Sequence, residues 1–203
     1  GTWMFGRDLV NWNNNFTWAK WVTPSRDLIS AFKQEGDEVR FKESIVYYDC
    51  NWSNYYPSDN YPFMYKCRSA NSSIIKYRYA DVLLLKAEAL IMQDTPDLEG
   101  AADIIDEVRD RAKLGALPTS VRSNKNVLLN ALLKERRLEL AFEGQRWFDL
   151  VRLDKVEEVM NAVYAKDSGR KAQIYTFDKN SYRLPIPQSV IDANDKIHQN
   201  PGY

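Results

Sequence analysis

The stretch ERRLELAFEGQRWFDLVR, Glu135 to Arg152, sets eight charged residues among Leu, Phe and Trp. The pairs Arg136–Glu139, Glu143–Arg146, Arg146–Asp149 and Asp149–Arg152 are each three apart. On a helix such residues are neighbours, so opposite charges can meet. Gly144 interrupts the run and predicts an end or bend there. Charges crowded by apolar side chains must find partners, because an unpartnered buried charge costs several kcal/mol. The spacing therefore predicts a structural strut, with Arg146 and Asp149 buried and ion-paired. A catalytic alternative is a glycosidase pair such as Glu139 and Glu143, which needs one acid with a raised pKa across a cleft from its partner. Each acid here has an arginine within a turn, which pulls the other way.

On both sides of the strut, apolar residues recur at helical spacing. Leu128, Leu129, Leu132, Leu133, Leu140 and Phe142 cover much of one helix. Upstream, Ala80, Leu83, Leu84, Ala87 and Ile91 form a stripe, and Ala101, Ile104, Ile105, Val108 and Ala112 form the next. Between them QDTPDLEG breaks the chain, with Thr95 as expected cap and Pro96 at the first helical position. Gly115 is expected to supply a left-handed terminus. These two helices make one hairpin. A second is expected to open at Asn124 and to run on through Val156, Val159, Met160 and Val163. Each spans about 35 residues, near the ~34-residue tetratricopeptide period.

The flanks differ. TPSRDLISAFKQEGD reads as one short helix capped by Thr23 or Ser25, with Leu28, Ile29 and Phe32 on one face. FKESIVYY has strand-like content, and CNWSNYYPSDNYPFMYKC reads as loop. In the tail, Pro185, Pro187 and Pro201 exclude a long helix; QSVIDAN forms at most one turn. Leu184, Ile186, Val190 and Ile191 call for burial, so an extended strap across the hairpins is expected. The expected fold is mostly α: tetratricopeptide-like helical hairpins with irregular aromatic-rich loops and an extended C-terminal strap. The expected layout is an irregular segment over 1–76, hairpins over 77–166 and a tail over 167–203.

Composition narrows function. Lys plus Arg and Asp plus Glu both number 28 in 203 residues, and this neutrality argues against a nucleic-acid partner. No apolar run approaches the ~18–20 residues of a membrane span. GTWMFGRDLV has no Lys/Arg-led region before an apolar core, so no signal peptide is read there; a fragment or processed chain is expected. Cys50 and Cys67 can pair or stay free. The single histidine, His198, sits in the tail and builds no metal site; no phosphate-binding glycine loop occurs, and no cofactor or metal is expected. Five of six tryptophans, Trp3, Trp12, Trp18, Trp21 and Trp52, fall in the first 52 residues beside many Asn and Tyr. Exposed rings stack on apolar faces of sugars while amides and carboxylates bond hydroxyls. NWNNNFTWAKW and NWSNYYPSDNY therefore nominate Trp12, Trp18, Trp52, Tyr55 and Tyr56, flanked by Asn13, Asn14 and Asp59. The alternative is that these rings cap the helical core.

The strut, followed by YRLPIPQSVIDANDKIHQNPGY, resembles the C-terminal region of SusD-like (SusD/RagB) proteins. The shared features are the Glu-Arg-Arg opening, the Phe-Glu-Gly turn, the Arg-Trp-Phe-Asp-Leu run, the Leu-Pro-Ile-Pro step and the Gln-Asn-Pro-Gly-Tyr terminus. KYRYADVLLLKAEAL and TPSRDLISAF resemble the family's upstream helices. The resemblance implies an outer-membrane, cell-surface lipoprotein that binds oligosaccharides or other nutrients. Such a protein passes its ligand to a SusC-like TonB-dependent transporter. It implies a binder and no enzyme, with tetratricopeptide-type hairpins as scaffold and the lipid anchor outside this chain. Two alternatives stand beside it: a helical-repeat scaffold that binds only protein, and, with less support, a glycoside hydrolase.

Overall fold

The computed structural model describes residues 23–49, 56–66, 75–166 and 176–203. The chain forms two compact units, Gly1–Arg146 and Trp147–Tyr203.

The first unit opens with α1 (Arg26–Glu35). Ser25 caps it, its hydroxyl accepting from the Leu28 amide. Gly36 ends it in the left-handed region at φ 68°, which a residue without Cβ enters at no steric cost. Asp37 then caps α2 (Glu38–Ser44). Helix thus covers Phe41–Ser44, where the sequence pattern predicts strand; only Ile45–Tyr48 is strand, β1. Its partner β2, Tyr61–Met64, lies in a segment whose composition predicts loop. The two run antiparallel, Ile45 opposite Met64 and Tyr47 opposite Pro62. A two-stranded ribbon is all edge, so Pro62 loses no obligatory ladder bond. That is why the proline misled. Tyr61 and Phe63 are buried, and with Ile29, Phe32, Ile45 and Leu138 they anchor the ribbon end of this unit.

The helical end is built from α3 (Tyr79–Met92), α4 (Leu98–Arg111), α5 (Thr119–Arg122) and α6 (Lys125–Glu139). α3 and α4 pack as a hairpin. Its seam is the expected one: Leu84, Ala87, Ile91, Ala101, Ile105 and Val108 are buried together. The small Ala87, Ala101 and Ala102 let the helix axes come close. α6 adds Leu128 and Leu132 to this same core and packs on both helices of the hairpin. Two local details differ from expectation. Asp97 caps α4 in place of Thr95, because its carboxylate reaches the Gly100 amide at 2.9 Å; helix begins at Leu98, beyond Pro96. The left-handed residue that follows α4 is Lys113 at φ 62°, not Gly115. The Leu114 amide there bonds the Arg109 carbonyl.

The second unit contains most of α7 (Arg146–Arg152), α8 (Val156–Lys166), a 3-10 turn at Lys179–Tyr182 and α9 (Gln188–Asp192). Phe177 packs on Tyr164 of α8 at 5.5 Å and on Trp147 at 6.4 Å between ring centres. The Asn161 carboxamide bonds both the amide and the carbonyl of Phe177, each at 2.9 Å. Gln199 does the same to Ile186, at 2.8 and 2.9 Å. Asn200 donates to the Leu184 carbonyl, and Tyr203 to that of Arg183. The tail is extended apart from its short turns, but the expected burial fails at two positions. Leu184 is 83% exposed and Val190 43%; Ile186 and Ile191 are half-buried. Side-chain amides bonding the backbone, more than apolar burial, fix the path.

Candidate functional site

The strut occupies the end of α6, the turn after it and α7. Glu135 and Glu139 are four apart on α6, so they share a face. After Glu139 the chain leaves the helix: Phe142 and Gly144 both take positive φ, 67° and 80°. That turn brings Glu143 round to the same cluster. The Glu135 carboxylate receives Arg40 Nη1 at 2.5 Å and Arg109 Nη1 at 3.4 Å. Glu139 receives Arg78 Nη1 at 2.5 Å, Arg40 Nη1 at 3.1 Å and Arg111 Nη2. Glu143 receives Arg78 Nε at 2.8 Å and is ion-paired with Lys66 Nζ at 2.5 Å, which donates to the Glu139 carbonyl. Arg136 is buried and bonded to the equally buried Asp81 at 2.8 Å. Arg146 is half-buried and donates to the Leu133 carbonyl at 3.2 Å. Asp149, buried, pairs with Arg152 at 2.7 Å, the i,i+3 contact expected. Most partners come from α2, α3 and α4 and from the segments before them, far away in sequence.

Electrostatics follow burial. Desolvation pushes the Glu139 carboxyl up, but hydrogen bonds from Arg111 and Arg78, with their charge, outweigh it and hold the group below 4.5. Glu135 goes the other way: burial exceeds the pull of Arg40 and Arg109, and its pKa rises. Burial also lowers Lys66, against the attraction of Glu143. A hydrolytic pair must reach substrate from a cleft. Glu139 and Glu143 instead have nearly inaccessible side chains, each bonded to at least two cations. The arrangement ties helices together.

A second constellation lies on the ribbon side of α1. A groove of about 470 Å³ separates that helix from the segment around Tyr56. Arg26, Ser30, Lys33 and Gln34 form one wall, since positions 26, 30, 33 and 34 share a helix face. Ile29 lies with them. Tyr47, Tyr56, Pro57 and Asn60 line it too among the described residues. Tyr56 is fixed on several sides. Its hydroxyl donates to the Pro24 carbonyl at 2.8 Å, and Tyr61 meets it edge-on at 5.5 Å. The Arg26 guanidinium sits 5.0 Å from its ring centre, a cation–π distance. Burial raises the pKa of the Tyr47 hydroxyl. Apolar ring surface beside a row of donors can cover a sugar face and bond its hydroxyls.

Of the nominated ligand residues, Tyr56 lines this groove, while Asp59 is exposed close by and is not part of its lining. Trp12, Trp18, Trp52, Tyr55, Asn13 and Asn14 lie outside the described residues, as do Cys50 and Cys67. The α1 wall was missed because a polar stripe on a short helix reads in sequence as an ordinary solvated face.

Residues 58–203 match the model of the SusD family. The chain belongs to this family. SusD-like protein P2 of Formosa agariphila is 36% identical over 143 residues, 67% of the chain and 27% of that protein. A SusD superfamily structure from Parabacteroides distasonis superposes on the whole chain and 46% of its own, with TM-score 0.69 and 23% identity, a likeness of fold. A laminarin-binding SusD-like protein covers 89% of the chain and 38% of its own length, with TM-score 0.58 and 27% identity. The chain thus spans less than half the length of each of these SusD-type relatives. Its nine helices and single two-stranded ribbon among the described residues agree with their mostly helical fold.

Proposed function

We propose that this chain is the C-terminal part of a SusD-like domain, in a cell-surface, outer-membrane lipoprotein that binds oligosaccharide without catalysis. The protein hands its ligand to a SusC-like TonB-dependent transporter. The observation that carries the reading is the groove between α1 and Tyr56, in a member of a family with a laminarin-binding relative. Sugar hydroxyls exchange water for protein hydrogen bonds at little net gain, so ring surface must supply much of the affinity. Tyr47 and Tyr56 offer it in the groove. Trp12, Trp18, Trp52 and Tyr55, with Asn13 and Asn14, remain the further candidates nominated by composition. The strut is scaffold in this reading.

The test is titration of a panel of oligosaccharides, laminari-oligosaccharides included, followed by tryptophan fluorescence and calorimetry. Saturable binding to at least one glycan is expected, with no release of reducing ends. Tyr56→Ala combined with Asn60→Ala should weaken it, and Trp12→Ala with Trp52→Ala should do so independently. Silence across the whole panel would remove the glycan reading. Unaltered binding in both double variants would move the site away from these residues.

A further inference from the structure

We infer that the outer face of α3 is an internal interface, covered by an amphipathic helix from the part of the protein outside this chain; this rests on the C-terminal reading above. α3 is apolar on two sides. Its inner side, Ala80, Leu84, Ala87 and Ile91, is buried, and Leu84, Ala87 and Ile91 belong to the hairpin seam. Its outer side carries Val82, Leu85, Ala89 and Met92. They are spaced three, four and three apart, so they form one stripe. The stripe lies across the helix from the seam and runs about 15 Å along the axis. It is open to water: Val82 is 52% exposed and Met92 53%, and Leu85 and Ala89 are exposed between them. Exposed Tyr77 and Tyr79 extend the ring and apolar surface past the first turn.

The neighbouring helices are built differently. Opposite the seam α4 turns Asp103, Glu107 and Asp110 to water, and α6 turns out Asn126, Asn130 and Lys134. A helix that is apolar all round belongs inside a fold. Helical hairpins in an array each bury a face against a neighbour, and the hairpin that ends an array carries a polar outer face. α6 already covers one side of the α3–α4 pair. The outer stripe of α3 is the surface for the next layer, and its composition is not that of an end. The relatives supply the occupant. The Parabacteroides distasonis structure matches all of this chain with 46% of its own length, so more than half of that fold lies beyond what this chain builds. The spacing sets the occupant's chemistry: a three-four-three stripe takes a helix whose apolar residues repeat in the same way. Lys86, exposed at the edge of the stripe and without an ion pair among the described residues, suits a carboxylate on that helix.

The native protein is first weighed by mass spectrometry. The mass of these 203 residues alone would remove the C-terminal reading and the inference with it. The full-length protein is then expressed with the photoreactive diazirine analogue of methionine, which keeps the shape of the side chain. On irradiation, the peptide carrying residue 92 should crosslink, within one molecule, to sequence outside residues 1–203. Mixing light and isotopically heavy protein separates links within a molecule from links between two. In unlabelled protein, dilute peroxide should oxidise Met92 about tenfold more slowly than free methionine, since oxidation follows exposure. A link to residues of this chain would put the cover inside it, and a link between light and heavy protein would make the occupant a second copy. Either overturns the inference. No link from residue 92, or oxidation at the free rate, does the same. In each of those cases the longer mass still stands, and the C-terminal reading with it.

Discussion

Substituting Glu139 by Gln removes one charge from the centre of the strut with almost no change of shape. The wild-type carboxylate, 2% exposed, faces three guanidinium groups. In the variant, one oxygen becomes an NH2 that points a donor at donors. The cations are not stranded. Arg40 keeps Asp37 and Glu135, Arg78 keeps Glu143 and the residue-139 carbonyl, and Arg111 is 62% exposed and returns to water. That redistribution places the expected loss at the lower edge of the range for breaking a buried ion pair, about 3 kcal/mol. In urea, with a slope of roughly 1–3 kcal/mol per molar, the midpoint should drop by about 1–3 M. The melting temperature should fall by about 6–12 °C. Arg111→Ala is the internal control: it removes a 62% exposed member of the same cluster and leaves Glu139 its bonds to Arg78 and Arg40, so it should cost clearly less than E139Q. Denaturation followed by circular dichroism reads both. A loss below ~1 kcal/mol in E139Q, or equal losses in the two variants, would refute the claim that burial decides which member of the cluster matters.

Gly144→Ala meets no atom within 4 Å but forces φ 80° on a residue with Cβ, so it should cost about 1 kcal/mol in thermal melts. Asp97→Ala should cost about 1 kcal/mol through loss of the α4 cap. A Cβ on Gly100 would press on that carboxylate, so Gly100→Ala should be near neutral alone and stabilising by about 1 kcal/mol in the Asp97→Ala background; a gain in the wild-type background would show that the cap tolerates the methyl. Acid should destabilise the fold. Glu139 and Glu35 are held below 4.5 by their cations, against burial, so their contribution is complete above that value and disappears as pH falls through their folded-state pKa. Glu135, raised by burial, works in the opposite direction, so the comparison with E139Q isolates the Glu139 contribution. Melting temperature should therefore fall as pH drops below 4.5, and less steeply in E139Q; parallel curves would break the assignment.

The helical stripes were legible because their physics is local. Ala80, Leu84, Ala87 and Ile91 repeat every three or four residues, and they are the seam observed. The strut was legible as strut for a related reason, since eight charges among Leu and Phe require partners. Beyond the Asp149–Arg152 pair, which partners was not legible. Helical spacing pointed Arg136 at Glu139 and Glu143 at Arg146. The fold brings Asp81 to Arg136, and Arg78 and Lys66 to Glu143, across separations of 55 to 77 positions that no spacing rule spans. β2 was hidden by Pro62, a residue that demotes a strand unless the strand is an edge. The groove was hidden more completely. Its α1 wall becomes a wall only when Tyr56 returns opposite it, and that return depends on the Tyr56–Pro24 bond and on the packing of Tyr61.

Two carboxamides in the second unit have a consequence for how the molecule ages. Asn161 and Gln199 each hold a backbone segment by giving and taking one hydrogen bond, in the manner of a neighbouring peptide group. Only a carboxamide side chain offers both functions side by side, and it is among the thermolabile groups. Hydrolysis of Gln199 to an acid would replace the donor facing the Ile186 carbonyl with a negative oxygen, setting lone pairs against lone pairs. The segment from Ile186 to the terminus would then lose its clasp, while every apolar contact of the unit stayed chemically intact. Gln199→Glu reproduces the aged state directly. Amide exchange at Ile186 should accelerate in this variant with little change at α8; an unchanged rate would mean the clasp is not what holds the tail.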